Sequence, residues 1–329
     1  KNFAKEYQPR TTLTVGYNLQ ARPIYTRQIT LLTFGYNWMK NKSEQHILTP
    51  VTLNSVKVDP TPSFEAILEQ ETNQRIKDQY TSHLIFGLDY TYIFNNQNVR
   101  FIKDFFYFKA NIQSSGNLLS AFNNTSAIKT VDNYHEILGI RYAQYVRFAF
   151  DFRYFKYVYG ENQIATRFML GAGIPYGNSN DMPFEKSFYA GGSNGMRGWQ
   201  FRELGPGTFN NPDNLNIERI GDIQLEFNLE YRFPIYSFIK GAVFTDIGNI
   251  WTMRENETFK GGQFKFNTFY KQLAADAGIG LRFDFSFFLF RLDAAAPIVN
   301  PAYPEGERWR ISKLRFKDFI LNFGIGYPF

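Results

Sequence analysis

The sequence predicts an all-β fold, a transmembrane antiparallel β-barrel, on three observations. Aromatic residues make up 19% of the 329 residues, yet the mean hydropathy is only −0.35. That pairing is expected where apolar residues alternate with polar ones, so that each segment is apolar on one side only. Alternation of this kind recurs along the chain. The connections between the alternating runs fall into short and long, which is how outer-membrane barrels are strung.

The runs lie near residues 10–20, 26–39, 47–57, 81–94, 103–115, 141–158, 163–176, 220–234, 239–252, 270–285, 288–298 and 318–329, about twelve strands in all. In GDIQLEFNLEYRF, Asp222, Gln224, Glu226, Asn228, Glu230 and Arg232 fall on one face. Ile223, Leu225, Phe227, Leu229, Tyr231 and Phe233 fall on the other. A period of two places these sets on opposite sides of a strand. SHLIFGLDYTYIF, QYVRFAFDFRYF and LAADAGIGLRFDF follow the same scheme, the last setting Asp276 and Arg282 against Ile279 and Leu281. Tight connections near 159–162, 235–238 and 286–287 contrast with long ones near 58–80, 116–140, 177–219, 253–269 and 299–317. Pro62–Tyr80 has room for a short helix within one long loop.

The polar faces decide the class. A soluble β-sandwich also alternates, but its polar face meets bulk water and carries Lys, Thr and Glu. Here that face mixes Asp, Glu, Arg, Asn and Gly, while the other is aromatic and aliphatic from strand to strand. Lipid outside and a hydrated, charged lumen account for both faces together. Tyr36, Trp38, Tyr157, Tyr159, Trp251 and Tyr327 stand near strand ends, where an interfacial girdle would lie.

Several classes are excluded. No run approaches the ~18 apolar residues of a membrane-crossing helix. The absence of a signal peptide carries little, because the chain opens within what reads as mature protein. The absence of cysteine removes disulfides, thiolate metal sites and a cysteine nucleophile. The +6 formal charge is mild and spread out, with no Lys/Arg cluster for nucleic acid. His46, His83 and His135 are scattered without metal-ligand spacing, and neither G-x-S-x-G nor H-E-x-x-H occurs. No catalytic residue, metal or cofactor is expected.

One stretch, FYAGGSNGMRGWQFRELGPG, departs from the strand pattern. It lacks the Gly-Lys-Ser/Thr ending of a phosphate loop and follows a long polar loop. It resembles the sixth extracellular loop of the BamA/TamA superfamily of outer-membrane assembly proteins, the bacterial surface antigen family. The matching motif is Met196-Arg197-Gly198-Trp199. Downstream, LEYRFPI resembles the family's twelfth strand and VFTDIGNIW its thirteenth. The resemblance implies a loop folded back into the lumen, with Arg197 paired to the carboxylates of Glu230 and Asp246. Alternation independently puts Glu230 on the polar face. The closing segment FILNFGIGYPF alternates Leu321, Phe323, Ile325, Tyr327 and Phe329 and resembles the family's terminal gate strand, or β-signal.

By the same resemblance, residues 1–329 are one C-terminal outer-membrane barrel domain. Family barrels have sixteen strands, so the about twelve here correspond to strands five to sixteen, with earlier strands and the periplasmic POTRA domains not in this chain. An unpaired first edge in lipid would be untenable, so further chain or a partner is expected. The implied function is insertion of nascent outer-membrane proteins through a lateral seam next to the last strand. The implied partners are those clients, a periplasmic TamB-like protein or accessory lipoproteins, the bilayer and lipopolysaccharide. The TamA-like (TamL) branch of Bacteroidota fits best, with BamA next. Other readings stay open: a two-partner-secretion transporter, the barrel of a patatin-type phospholipase fusion, and a porin-like channel.

Overall fold

The computed structural model describes residues 7–70, 77, 80–98, 101–131, 133–210, 218–255, 257–285 and 287–329. Among them are fifteen strands. In the first part of the chain these are β1 (Arg10–Ala21), β2 (Tyr25–Met39), β3 (Glu44–Pro60), β4 (His83–Asn95) and β5 (Phe105–Ser115). The short β6 (Ile128–Val131), β7 (Tyr134–Ile137) and β8 (Ile140–Tyr142) follow. Then come β9 (Tyr145–Tyr159), β10 (Asn162–Pro175), β11 (Ile223–Tyr236), β12 (Ile239–Trp251), β13 (Ala274–Asp284), β14 (Leu289–Val299) and β15 (Ile320–Ile325). The strand registers described are antiparallel, apart from a two-residue parallel contact of β4 with β8. No helix among the described residues is long and apolar enough to cross a membrane.

Two compact units fall within Lys1–Phe94, Ala110–Phe148 and Gly173–Lys186, and within Asn95–Lys109, Ala149–Ala172 and Ser187–Phe329. In the first, β1 to β4 form a meander whose register lines Val15, Leu32, Leu53 and Phe86 into one apolar row. Pro50 sits inside β3 and cannot donate to a ladder. The register shifts beside it, between Thr49 and Thr52 on one side and between Phe34 and Tyr36 on the other. Pro62 opens helix α1 (Pro62–Gln70) at the position where its missing N–H costs nothing. Residues 71–76 and 78–79 of the stretch expected to hold this helix lie outside the described residues.

In the second unit, β10 to β15 form a continuous antiparallel ladder. Its burial inverts that of a water-soluble sheet. Along β11, Gln224, Glu226, Asn228, Glu230 and Arg232 are buried, whereas Phe227, Leu229 and Tyr231 are exposed. Asp246, Asp276, Arg282, Arg291 and Asp293 on β12 to β14 are each 1% exposed or less, while Ile279 is 64% exposed and Phe323 67%. In water each bare apolar side chain would forgo roughly 1.5–3 kcal/mol of burial. In hydrocarbon it forgoes nothing, so this pattern fits a lipid-facing sheet and removes the soluble sandwich.

Each of the twelve long strands overlaps a predicted run, and three differences have local causes. β6, β7 and β8 are only three or four residues long, too short for alternation to register, and β6 and β7 fall in the expected 116–140 loop. β13 starts at Ala274 because Phe269–Gln272 forms a 3₁₀ turn. Trp251 does not belong to an interfacial girdle. It is fully buried, donates Nε1–H to Gln272 Oε1 at 2.7 Å, and meets Phe264 and Phe269 edge to face.

Candidate functional site

The loop between β10 and β11 turns at Gly191 and Gly192, whose φ angles of +100° and +96° favour glycine. Antiparallel bridges Phe188–Gly221 and Ala190–Leu204 close its stem. Gly192 N–H donates to Trp199 O at 2.9 Å, which confines Ser193–Gly198 to a tight tip. Met196 and Trp199 anchor the tip in an apolar cluster with Phe188, Ala190, Leu204, Ile250 and Ala274.

Between these anchors, Arg197 is fully buried against β11 and β12. Its Nε and Nη2 donate to Asp246 Oδ2 and Oδ1 at 2.8 and 2.9 Å, a bidentate fork, and its Nη1 donates to Glu230 Oε2 at 2.6 Å. The guanidinium lies 3.3 Å from the centre of the Phe244 ring. Arginine suits this place because its planar donors hold two carboxylates at once and its cation stacks on an aromatic face. Burial disfavours its charge. The Asp246 and Glu230 carboxylates outweigh that cost and hold its proton more tightly than in water.

The strands also grip the backbone of the tip. Asp246 Oδ2 accepts from Arg197 N–H at 3.2 Å and Asp276 Oδ2 from Gly198 N–H at 2.9 Å. Asn228 Nδ2 donates both to Asp246 Oδ1 at 2.9 Å and to Gly195 O at 3.2 Å. Gly198 has no room for a side chain, since a Cβ would stand 2.5 Å from Asp276 Cβ. Further out, Glu230 accepts from Arg232 Nε at 2.8 Å and pairs with Arg282 at 3.1 Å, and Asp293 bridges Arg282 and Arg291.

The structure thus brings Met196, Arg197, Gly198, Trp199, Glu230 and Asp246 together. Leu321, Phe323 and Ile325 lie on the exposed face of β15 at 69%, 67% and 83%. Tyr327 and Phe329 do not continue that face, contrary to the expected single alternating set. The strand ends at Ile325, and Gly326 takes a φ of +84°. Tyr327 then stacks on Arg232 at 4.1 Å, and Phe329 is buried against Phe105, Phe155 and Ala165. The sequence reading did not single out Asp276, Arg282, Arg291, Asp293 or Asn322 for the site. Alternation marked the first two as polar-face residues, and the same parity in FRLDAAA and ILNFGI was available for the others.

The histidines serve local contacts. His46 stacks on Trp38 at 5.1 Å, His83 Nε2 lies 3.1 Å from Glu185 Oε2, and His135 Nδ1 lies 3.2 Å from Thr130 Oγ1. Among the described residues, no cluster of three or more His, Asp or Glu is suited to a metal ion.

A sheet with charged faces buried and apolar faces exposed, carrying an arginine-bearing loop on its charged side, is the pattern of a transmembrane β-barrel wall. The chain belongs to the Omp85 superfamily: the Omp85 superfamily domain matches residues 2–329. Among solved structures it is similar to BamA from Haemophilus ducreyi lacking POTRA domains 1–3. The TM-score is 0.61 at 15% identity, over 96% of this chain and 57% of that one. At that identity the likeness speaks for the fold, and the chain spans little more than half of the BamA chain it matches.

Proposed function

We propose that this chain is the barrel part of an outer-membrane protein insertase, non-enzymatic, acting at a lateral seam beside β15. The observation that carries the proposal is the fork of Arg197 onto Asp246 and Glu230. It fixes the glycine-rich loop against the charged face of β11 and β12. Met196, Arg197, Gly198 and Trp199 position that loop in the lumen, with Glu230 and Asp246 as its docking carboxylates. Leu321, Phe323 and Ile325 present the gate strand to lipid, and Tyr327 and Phe329 complete the terminal signal. A client strand adds to the exposed edge by main-chain hydrogen bonding, which supplies driving force without nucleotide.

The glycine-rich loop and the Asn-, Phe- and Tyr-rich composition favour a TamA-like (TamL) protein of Bacteroidota, with nascent outer-membrane proteins as clients. A TamB-like periplasmic protein or accessory lipoproteins, with lipopolysaccharide in the bilayer, complete the proposed surroundings. The test is folding of urea-denatured outer-membrane proteins into vesicles containing the full-length protein. Accelerated folding of several unrelated clients supports insertion. Acceleration of one dedicated passenger only would point to two-partner secretion. Steady, large conductance in planar bilayers with no acceleration would point to a porin.

A further inference from the structure

The last strand touches the loop tip at one polar point. Asn322 Nδ2 donates to the carbonyl oxygen of Arg197 at 3.0 Å. Asn322 stands opposite Asp293 in the β14–β15 ladder, and Gly324 stands opposite Arg291. Gly324 matters through what it lacks, because a Cβ there would lie 2.5 Å from Arg291 Nε. The Arg291 guanidinium uses that space to reach past β15, donating to Ser193 O at 2.7 Å and to Asn194 Oδ1. The inner face of β15 is therefore shaped for the loop. Its outer face, Leu321, Phe323 and Ile325, has no part in the contact.

β15 is six residues long and pairs with β14 among the described strands. The donor from Asn322 reaches the backbone of the very residue that carries the docking guanidinium.

We propose that Asn322 is the positioning residue that couples loop docking to the closed state of the last strand. When Arg197 leaves Asp246 and Glu230, its carbonyl leaves Asn322, and β15 loses its only polar tie to the loop among the described contacts. The loop then acts as a latch on the seam as well as a filler of the lumen. This rests on the seam reading above and deepens it. Such coupling is reciprocal: freeing β15 loosens the loop by the factor by which freeing the loop loosens β15.

The experiment is hydrogen–deuterium exchange on the full-length protein in lipid nanodiscs, reading amides of β15 and of residues 193–199 separately. Asn322→Ala should raise exchange in both segments by about two- to tenfold, the range of one net hydrogen bond. Arg197→Ala should raise exchange in β15 as well as in the loop, and adding Asn322→Ala to it should raise β15 no further. Ile279→Ala, on the exposed face of β13, serves as control and should leave both segments unchanged. The proposal is overturned if Asn322→Ala affects β15 alone, if Arg197→Ala frees the loop without β15, or if the two effects add in full. Exchange is read without any client, so failure to insert clients would count against the function and not against the coupling.

Discussion

Replacing Arg197 by alanine tests the docked loop most directly, because the two carboxylates it holds do not lose equally. Glu230 keeps Arg232 at 2.8 Å and Arg282 at 3.1 Å. Asp246 loses both guanidinium contacts and retains Asn228 Nδ2 and one backbone N–H. It is fully buried, so its carboxylate is left with no cation in contact. A buried charge stripped of its partner costs on the order of 3–5 kcal/mol. Arg202 provides the control within the same loop. It pairs with Glu218, whose side chain is 42% exposed, and lies 4.9 Å from the Phe201 ring centre. Its loss should cost about 1 kcal/mol, the ordinary value of an exposed pair with a weak cation–π contact.

The assay is denaturant unfolding of the full-length protein in vesicles, followed by tryptophan fluorescence and by heat-modifiable gel mobility. Arg197→Ala should lower stability by at least about 2 kcal/mol more than Arg202→Ala. Adding Asp246→Asn to Arg197→Ala should restore much of the loss, because the orphaned charge is gone while an amide can still accept from the loop backbone. Equal shifts for the two arginines would refute the reasoning. So would a double variant no more stable than Arg197→Ala alone, since the cost would then not lie in the stranded carboxylate.

Other perturbations address separate contacts. Gly198→Ala forces a Cβ to within 2.5 Å of Asp276 Cβ and should expel the tip, seen as new protease cleavage within residues 191–207. Trp199→Ala removes the largest side chain of the apolar anchor and should cost about 3–5 kcal/mol in unfolding free energy, with milder loss for Trp199→Phe. Burial opposes ionisation of Glu185, but its hydrogen bond to His83 and the nearby Arg27 outweigh this and hold its carboxyl below the ordinary 4.5. The lowered folded-state value makes its contribution fully present above about pH 4.5 and lost as the pH falls through that lower value. Glu185→Gln should therefore weaken the protein at pH 7 and narrow its difference from the parent near pH 3, measured by unfolding midpoints.

Alternation made the long strands legible because period-two patterning and one-sided burial are the same physical fact. It told which face of β11 holds Glu230, but not which neighbours Glu230 meets. That depends on register, which the turns and bulges set: the shift between Ala275 and Asp276 decides what faces Pro297. Hence Arg282, Arg291 and Asp293 could be assigned to a face but not to a site. Trp251 is buried against a loop, and position near a strand end does not fix whether a ring meets lipid or loop. The inward turn after Ile325 was hidden for a related reason. YPF keeps the alternation going, and only the left-handed backbone at Gly326 breaks it.

The polar cluster is a costly way to hold a sheet, since apolar residues in place of buried ion pairs are often no less stable. Its value lies in register. On the lipid side, Tyr231, Val243, Ile279, Ala294 and Leu321 form one row across β11 to β15. A slip of two residues there would replace one apolar side chain by another in the same solvent, at little cost. The buried side has no such tolerance. Asp246, Glu230, Asp276 and Asn322 lie on four strands and all reach the backbone or side chain of two adjacent residues, Arg197 and Gly198. Moving any one strand by two residues would carry its group about 7 Å away and leave a charge or donor unmatched. Lipid thus leaves the pairing of these strands nearly degenerate, and the docked loop supplies the discrimination that water supplies for a soluble sheet.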